Sequence, residues 1–345
     1  MGVKDLFKLT NMVPLTNKYS DLPRNGIRVL GVDMYVLLHK FAIDVNIAAT
    51  LVLKPDIYLK EYYDRIRIFL ESLIKIGFDL YLVYDGNKMK YKIAEEEREK
   101  KRAQAKLSNS YIEAVEIVPQ QMYNFQFYLK TYDLHKKIKY IVAPFEADAQ
   151  LAYLYKEGLI HAVLTNDSDL IIYGIEHILF LRPKEDSYYE YQPSDEVNYV
   201  NNMEKVYLPM VAFLIGCDYF KGIKGVGWKR AFELVKEVIK KTKDLPRENE
   251  LIFKALYDEM KTKKYIKDLE REDILLKKYL MVYKVYTTQY VIDPRDSKLK
   301  DLQNRVILEE YRDEFGMIGE VEKIMNGTIN PIDNQAFQLT VSIKG

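Results

Sequence analysis

Three stretches decide the fold: IRVLGVD at 27–33, FDLYLVYD at 78–85 and HAVLTND at 161–167. Each is a short apolar run that closes on an aspartate: Asp33, Asp85 and Asp167. Runs of this length without strict alternation fit strands buried on both faces, as in parallel sheets. KYIVA (139–143) and HILFLR (177–182) read the same way. Helical patterns lie between them: MYVLLHKFAI from 34, an amphipathic stretch over 57–76 that stops at Gly77, and 146–157 after Pro144. A further short helix is expected over 2–9. The β/α alternation predicts an α/β fold, a mostly parallel sheet flanked by helices. From 207 onward the chain reads as largely helical.

In such a sheet ligands bind at the carboxyl ends of the strands. Asp33, Asp85 and Asp167 fall there, and Glu146, Asp148, Asp169 and Asp218 follow strands or open helices nearby in the sequence. Singly, each acid is an ordinary helix cap or turn residue. Jointly, they predict one acidic crevice that repels itself unless cations enter. Carboxylates without His or Cys suit Mg²⁺ or Mn²⁺, and the usual work of two such ions is phosphodiester cleavage.

The bulk composition narrows the field. The 345 residues carry a net charge of +1, so nucleic-acid binding has to come from local basic patches. Cys217 is the one cysteine, which excludes an internal disulfide and, with four scattered histidines, a Cys/His zinc site. No apolar run reaches the ~20 residues of a membrane span.

The segment 88–132 interrupts the sheet pattern. Between Lys88 and Lys106 it holds eight Lys/Arg and four Glu, followed by a second helical stretch from about Tyr111 to Tyr132. A charged run is usually a solvated helix with i,i+4 pairs. Placed beside Asp85, its Lys92 and Arg98 could instead stabilise charge on a scissile phosphate. In GCDYFKGIKGVGWKRA (216–231), Gly225 and Gly227 precede a helix with Lys229 and Arg230. Its backbone N–H groups suit a phosphate, although an ordinary glycine-rich turn reads equally well. Tyr35 and His39 share a helix face just after Asp33, suited to stacking on bases or to half-burial.

MGVKDL, VDMYVLLHK, VYDG, APFEADAQLAYL, TNDSDL and GCDYFKGIKGVG occur in the order found in the structure-specific 5′ nucleases: flap endonucleases, exonuclease one and the xeroderma pigmentosum G type. The chain resembles that family over residues 1 to about 235, and more weakly to about 333. It looks most like the catalytic region of eukaryotic exonuclease one, through EADAQLAYL, LHK, TTQYVIDP and NGTINPID. The resemblance implies a PIN-like core in a single nuclease domain over 1–345. Its parts would be 1–87, a helical arch over 88–132, an internal part over 133–215, a helix-two-turn-helix over 216–240 and a helical C-terminal part over 241–345.

By resemblance, the seven acids hold two Mg²⁺ ions, for which Mn²⁺ substitutes. Lys92 and Arg98 are arch-base cations, and Gly2, Tyr35 and His39 contact DNA. The glycine turn with Lys229 and Arg230 grips the DNA backbone and holds K⁺. The implied activity is 5′→3′ exonuclease and 5′-flap cleavage in DNA repair, by a nuclear monomer acting on 5′ ends, nicks, gaps or flaps. A replication-type flap endonuclease and a catalytically inactive DNA-binding scaffold are the alternatives. Tyr35 disfavours a dehalogenase-like phosphatase, which needs an acid at that position. The chain departs from the exonuclease branch at Phe41, at Asn166 and in the single arginine of EREKK. It stops at Gly345, short of the tail associated with mismatch-repair partners, and shows no sliding-clamp motif.

Overall fold

The computed structural model describes residues 6, 12–14, 22–23, 26–132, 134, 136–180, 189–191, 205–243, 248–266, 271–316, 318–330 and 335–337. Its strands are β1 (Met12–Pro14), β2 (Val29–Asp33), β3 (Asp79–Tyr84), β4 (Ile138–Val142), β5 (Ala162–Leu164), β6 (Ile178–Phe180), β7 (Tyr189–Tyr191), β8 (Tyr290–Asp293) and β9 (Lys298–Asp301). The helices are α1 (Met34–Phe41), α2 (Val45–Leu53), α3 (Lys60–Ile76), α4 (Ala94–Leu107), α5 (Tyr111–Ala114), α6 (Pro119–Lys130), α7 (Ala147–Lys156), α8 (Asp169–Ile172), α9 (Leu208–Ile215), α10 (Trp228–Thr242), α11 (Asn249–Thr262), α12 (Glu272–Thr288) and α13 (Val321–Met325). No single helix among the described residues is long and apolar enough to cross a membrane.

The chain divides into two compact units. The larger, formed by 13–166, 177–190 and 290–345, contains the sheet. Strand order is β1-β7-β6-β5-β2-β3-β4, and the pairs β6–β5, β5–β2, β2–β3 and β3–β4 are all parallel. The central strands β2 and β3 are buried on both faces, which is why they lack alternation. From β2 the chain winds outward through β3 to β4, then returns to lay β5 on the other side of β2. The direction reverses between β2 and β5, and such a switch point opens a ligand crevice at the strands' carboxyl ends.

Helix α3 ends where Gly77 adopts φ +117, a left-handed cap open to glycine. Helix α7 is fastened to the antiparallel β8–β9 hairpin. The fully buried Gln150 side chain donates to Ile292 O and accepts from Ile292 N, both at 2.8 Å. Tyr153 donates to Asp293 at 2.9 Å. Arg295 and Lys300 close on the same Asp293, holding its carboxyl well below the usual range.

The smaller unit comprises 1–12, 167–176 and 191–289, and α8 to α12 are its helices. Helix α9 (LPMVAFLI) is buried all round except Ile215. Phe213 at its centre stacks on Phe220 at 4.6 Å and meets Tyr279 edge-on at 5.6 Å.

The chain passes between the two units at 166–167 and at 289–290, among other points. Two expectations change. The stretch 111–132 is two helices, because Pro119 lacks an N–H and starts α6 rather than continuing α5. The C-terminal part is not helical throughout: the aromatic and β-branched run at 290–292 forms β8, and β9 pairs with it. The helix expected over 2–9 lies almost wholly outside the described residues.

Candidate active site

In the larger unit, Asp33 ends β2 and is 4% exposed. Its Oδ1 accepts from Val36 N at 3.2 Å and caps α1, while Oδ2 accepts from Thr165 Oγ1 at 2.8 Å. Thr165 follows β5, so this bond spans the switch point. Asp85 follows β3 and accepts from Ala147 N at 2.7 Å, satisfying the first amide of α7. Glu146 is the N-cap residue of α7 but makes no side-chain cap bond, and Asp148 lies in the first turn. The cap role read for single acids is thus real at Asp33, and Asp85 performs it for a helix remote in sequence. A capping bond of this kind is worth about 1 kcal/mol.

Glycine at 86 is obligatory. A Cβ there would lie 1.8 Å from Ala143 O. The close approach lets Gly86 N donate to Phe145 O at 2.6 Å and Asn87 N to Pro144 O at 3.0 Å. The loop after β3 and the turn before α7 are therefore laced together. From that loop Lys92 reaches Glu146 in a direct ion pair, both side chains mostly buried. Of the predicted site residues, two cations and four acids stand in the larger unit: Lys92 and Arg98 with Asp33, Asp85, Glu146 and Asp148.

Helix α4 is held by charge. Arg102 bonds Glu95 at 2.7 Å and Glu116 at 3.1 Å, and Arg98 lies 3.8 Å from Glu95. His39 packs edge-on to Tyr35 at 4.6 Å. Burial, then Arg102 and Arg98, lower the His39 pKa to about 4. Burial and Asp85 raise the Tyr35 phenol to about 12. At neutral pH the pair is an uncharged imidazole beside a protonated phenol. Sequence reading gave no signal for Arg102, Glu95, Glu116 or Thr165: Thr165 acts through Asp33, 132 residues away, and Arg102 reaches Glu95 and Glu116 across seven and fourteen residues, beyond the adjacent-turn spacings that a charge run suggests.

In the smaller unit, Asp169 is 5% exposed, accepts from Tyr286 Oη at 2.8 Å and donates its own N–H to Asp167 Oδ1 at 3.0 Å. Burial and Asp169 push the Cys217 thiol up to about 12, so it stays protonated. Asp218 follows it in a turn closed by Phe220 N to Cys217 O at 3.3 Å; a second turn closes from Val226 N to Ile223 O at 3.0 Å. Gly225 has φ +82 and Gly227 is the N-cap residue of α10. A Cβ at either would meet nothing within 4 Å. Arg230 donates to Gly225 O at 2.6 Å, and the Lys229 ammonium lies 5.2 Å from the Trp228 ring. Gly2 lies outside the described residues.

Among the described residues, no three His, Cys, Asp or Glu side chains are grouped to hold a metal ion. The carboxylates pair instead with Val36, Thr165, Ala147, Lys92 and Tyr286. Their donor chemistry, oxygen alone, fits a hard divalent cation.

The XPG N-terminal domain model matches residues 1–106 and the XPG I-region model residues 137–218, together more than half of the chain. Exodeoxyribonuclease 1 of Schizosaccharomyces pombe is 29% identical over 257 residues, covering 69% of this chain and 43% of that protein. Exonuclease 1 of Arabidopsis thaliana is 28% identical over 259 residues, covering 68% and 33%. The chain thus spans less than half the length of these relatives. The catalytic core of Rad2, solved in complex with DNA substrate, matches at TM-score 0.54 and 21% identity over 83% of this chain and 86% of that one. The fold is that of the PIN-like α/β nucleases. Within that class, the chain belongs to the XPG family.

Proposed function

We propose that this protein is a Mg²⁺-dependent 5′→3′ exonuclease on double-stranded DNA that also cuts 5′ flaps. The observation that carries the reading is the Lys92–Glu146 ion pair, in a loop tied by Gly86 to the turn that opens α7. It is supported by the family match and by relatives named exonuclease 1. Asp33, Asp85, Glu146, Asp148, Asp167, Asp169 and Asp218 would hold the divalent cations, Mg²⁺ or Mn²⁺. When bound, these supply Lewis acidity and a lowered water pKa.

The chain's own residues do the rest. Lys92 leaves Glu146 and turns its ammonium to the scissile phosphate; Arg98 adds a second cation. A charge donor of this kind is worth about 10²–10³ in rate. Tyr35 stays protonated and donates, while neutral His39 offers its ring to a frayed base without competing for protons. Gly225 and Gly227 leave room for a phosphate backbone, with Lys229 and Arg230 beside it and K⁺ among the turn carbonyls. Backbone contacts of this type make binding salt-dependent and sequence-tolerant. DNA repair in the nucleus, as a monomer, is the corresponding setting.

A flap endonuclease is the second reading, favoured by the 31% identity over 188 residues to flap endonuclease 1 of Enterocytozoon bieneusi. A 5′-labelled flap and a 3′-labelled recessed duplex, each with Mg²⁺ or EDTA, test both. Progressive shortening of the recessed duplex supports the exonuclease. Flap cutting alone supports the second reading, and no Mg²⁺-dependent cleavage of either overturns both.

A further inference from the structure

Residues 311–316 lie along the root of the segment that carries Lys92. Phe315 O accepts from Lys90 N at 2.9 Å, two residues before Lys92. The Phe315 ring is 1% exposed. It stands edge-on to Tyr290 at 4.9 Å and to Phe145 at 6.1 Å, and Phe145 immediately precedes Glu146. Tyr290, the first residue of β8, donates to Tyr311 O and lies 3.2 Å from Glu314 Oε2. Gly316 has φ +152, and a Cβ there would sit 3.2 Å from both Lys88 O and the Phe145 ring. One short segment therefore touches the chain just before each partner of the Lys92–Glu146 pair.

We propose that residues 311–316 form a strap that sets the register of Lys92 against Glu146, with Phe315 and Gly316 as its positioning residues. The inference rests on the reading of Lys92 as the cation that meets the scissile phosphate. The physical logic is leverage. The 85–92 loop has few apolar anchors of its own, so its terminal position depends on what it leans on. The backbone bond from Lys90 fixes it along the chain, and the aromatic cluster fixes its distance from the α7 turn. A contact that merely filled space would stabilise the unit without holding these two loops at a set separation. Misplacing a reacting group by about 1 Å can cost ~10²-fold in rate, and a methyl at Gly316 forces its neighbours to give by a few tenths of an ångström.

The test is a double-mutant cycle on the full chain, read as single-turnover cleavage of a 5′-flap duplex in Mg²⁺, with DNA affinity and thermal midpoint measured alongside. Gly316→Ala is expected to lower the cleavage rate about tenfold, with affinity within about twofold. In a Lys92→Ala background the same change is expected to cost less than about twofold, because the group being positioned is gone. Phe315→Ala should lower the rate and Phe315→Leu restore most of it, so the inference stays testable if Gly316→Ala does not fold. Equal losses from Gly316→Ala in both backgrounds would overturn the strap and leave Lys92 standing. A loss of affinity at unchanged rate would also overturn the strap. A Lys92→Ala variant with the wild-type rate would instead overturn the reading of Lys92 itself.

Discussion

Helices α4 and α9 are held in opposite ways. In α9 seven of eight residues are buried, and Phe213 packs against Phe220, Tyr279 and Phe253. In α4 Ala105 is the one buried residue of fourteen, and ion pairs of Arg98 and Arg102 hold its inner face. Partly exposed pairs contribute about 0–1 kcal/mol each, whereas a buried ring contributes several. Stability resides in helices like α9, and the charges that the proposed chemistry needs stand on or beside one that packing scarcely fixes. Elements that must respond to a ligand come from the weakly packed end of a fold.

The largest effect should come from breaking α9. Phe213→Ala is expected to cost about 3–5 kcal/mol, read as a drop in the urea midpoint at unchanged slope. Lys92→Ala should do the reverse: a 10²–10³-fold loss of cleavage rate with the midpoint close to wild type. A Lys92 variant that unfolds easily, or a Phe213 variant as stable as wild type, would erase the contrast.

A smaller effect sharpens it through pH. The folded chain lowers the His39 pKa from 6.5 to about 4. Between those values the unfolded chain binds a proton that the folded chain refuses, so stability falls as pH drops through this window and is unaffected above it. The His39 share is roughly 3 kcal/mol. His39→Gln should therefore flatten the stability profile between pH 6.5 and 4; an unchanged slope in urea titrations across that range would contradict the lowered pKa.

Much of the sheet was legible because parallel strands buried on both faces leave unbroken apolar runs, as in IRVLGVD and FDLYLVYD. The capping acids were legible for the same reason, since each closes such a run. Helix α6 was harder. PQQMYNFQFY looks polar enough for an exposed excursion, yet Gln121 is fully buried and its amide bonds Ile57 O at 2.8 Å. The hairpin at 290–301 was hidden behind a helix that ends two residues earlier, at Thr288. The Thr165 and Phe315 contacts left no local trace, because each joins segments far apart in the chain, and the Arg102 pairs fall outside the i,i+4 spacing that a charged helix shows.

The central claim is that the acids serve metal-dependent cleavage from a 5′ end. Its most direct measurement is single-turnover cleavage of a 5′-labelled flap by the wild type and by Asp167→Ala, in Mg²⁺ and in EDTA, with DNA binding followed by fluorescence anisotropy. The account predicts cleavage by the wild type in Mg²⁺ alone, and by the variant in neither, while both bind DNA. Binding without cleavage by the wild type in Mg²⁺ or Mn²⁺, or full cleavage by Asp167→Ala, would contradict it.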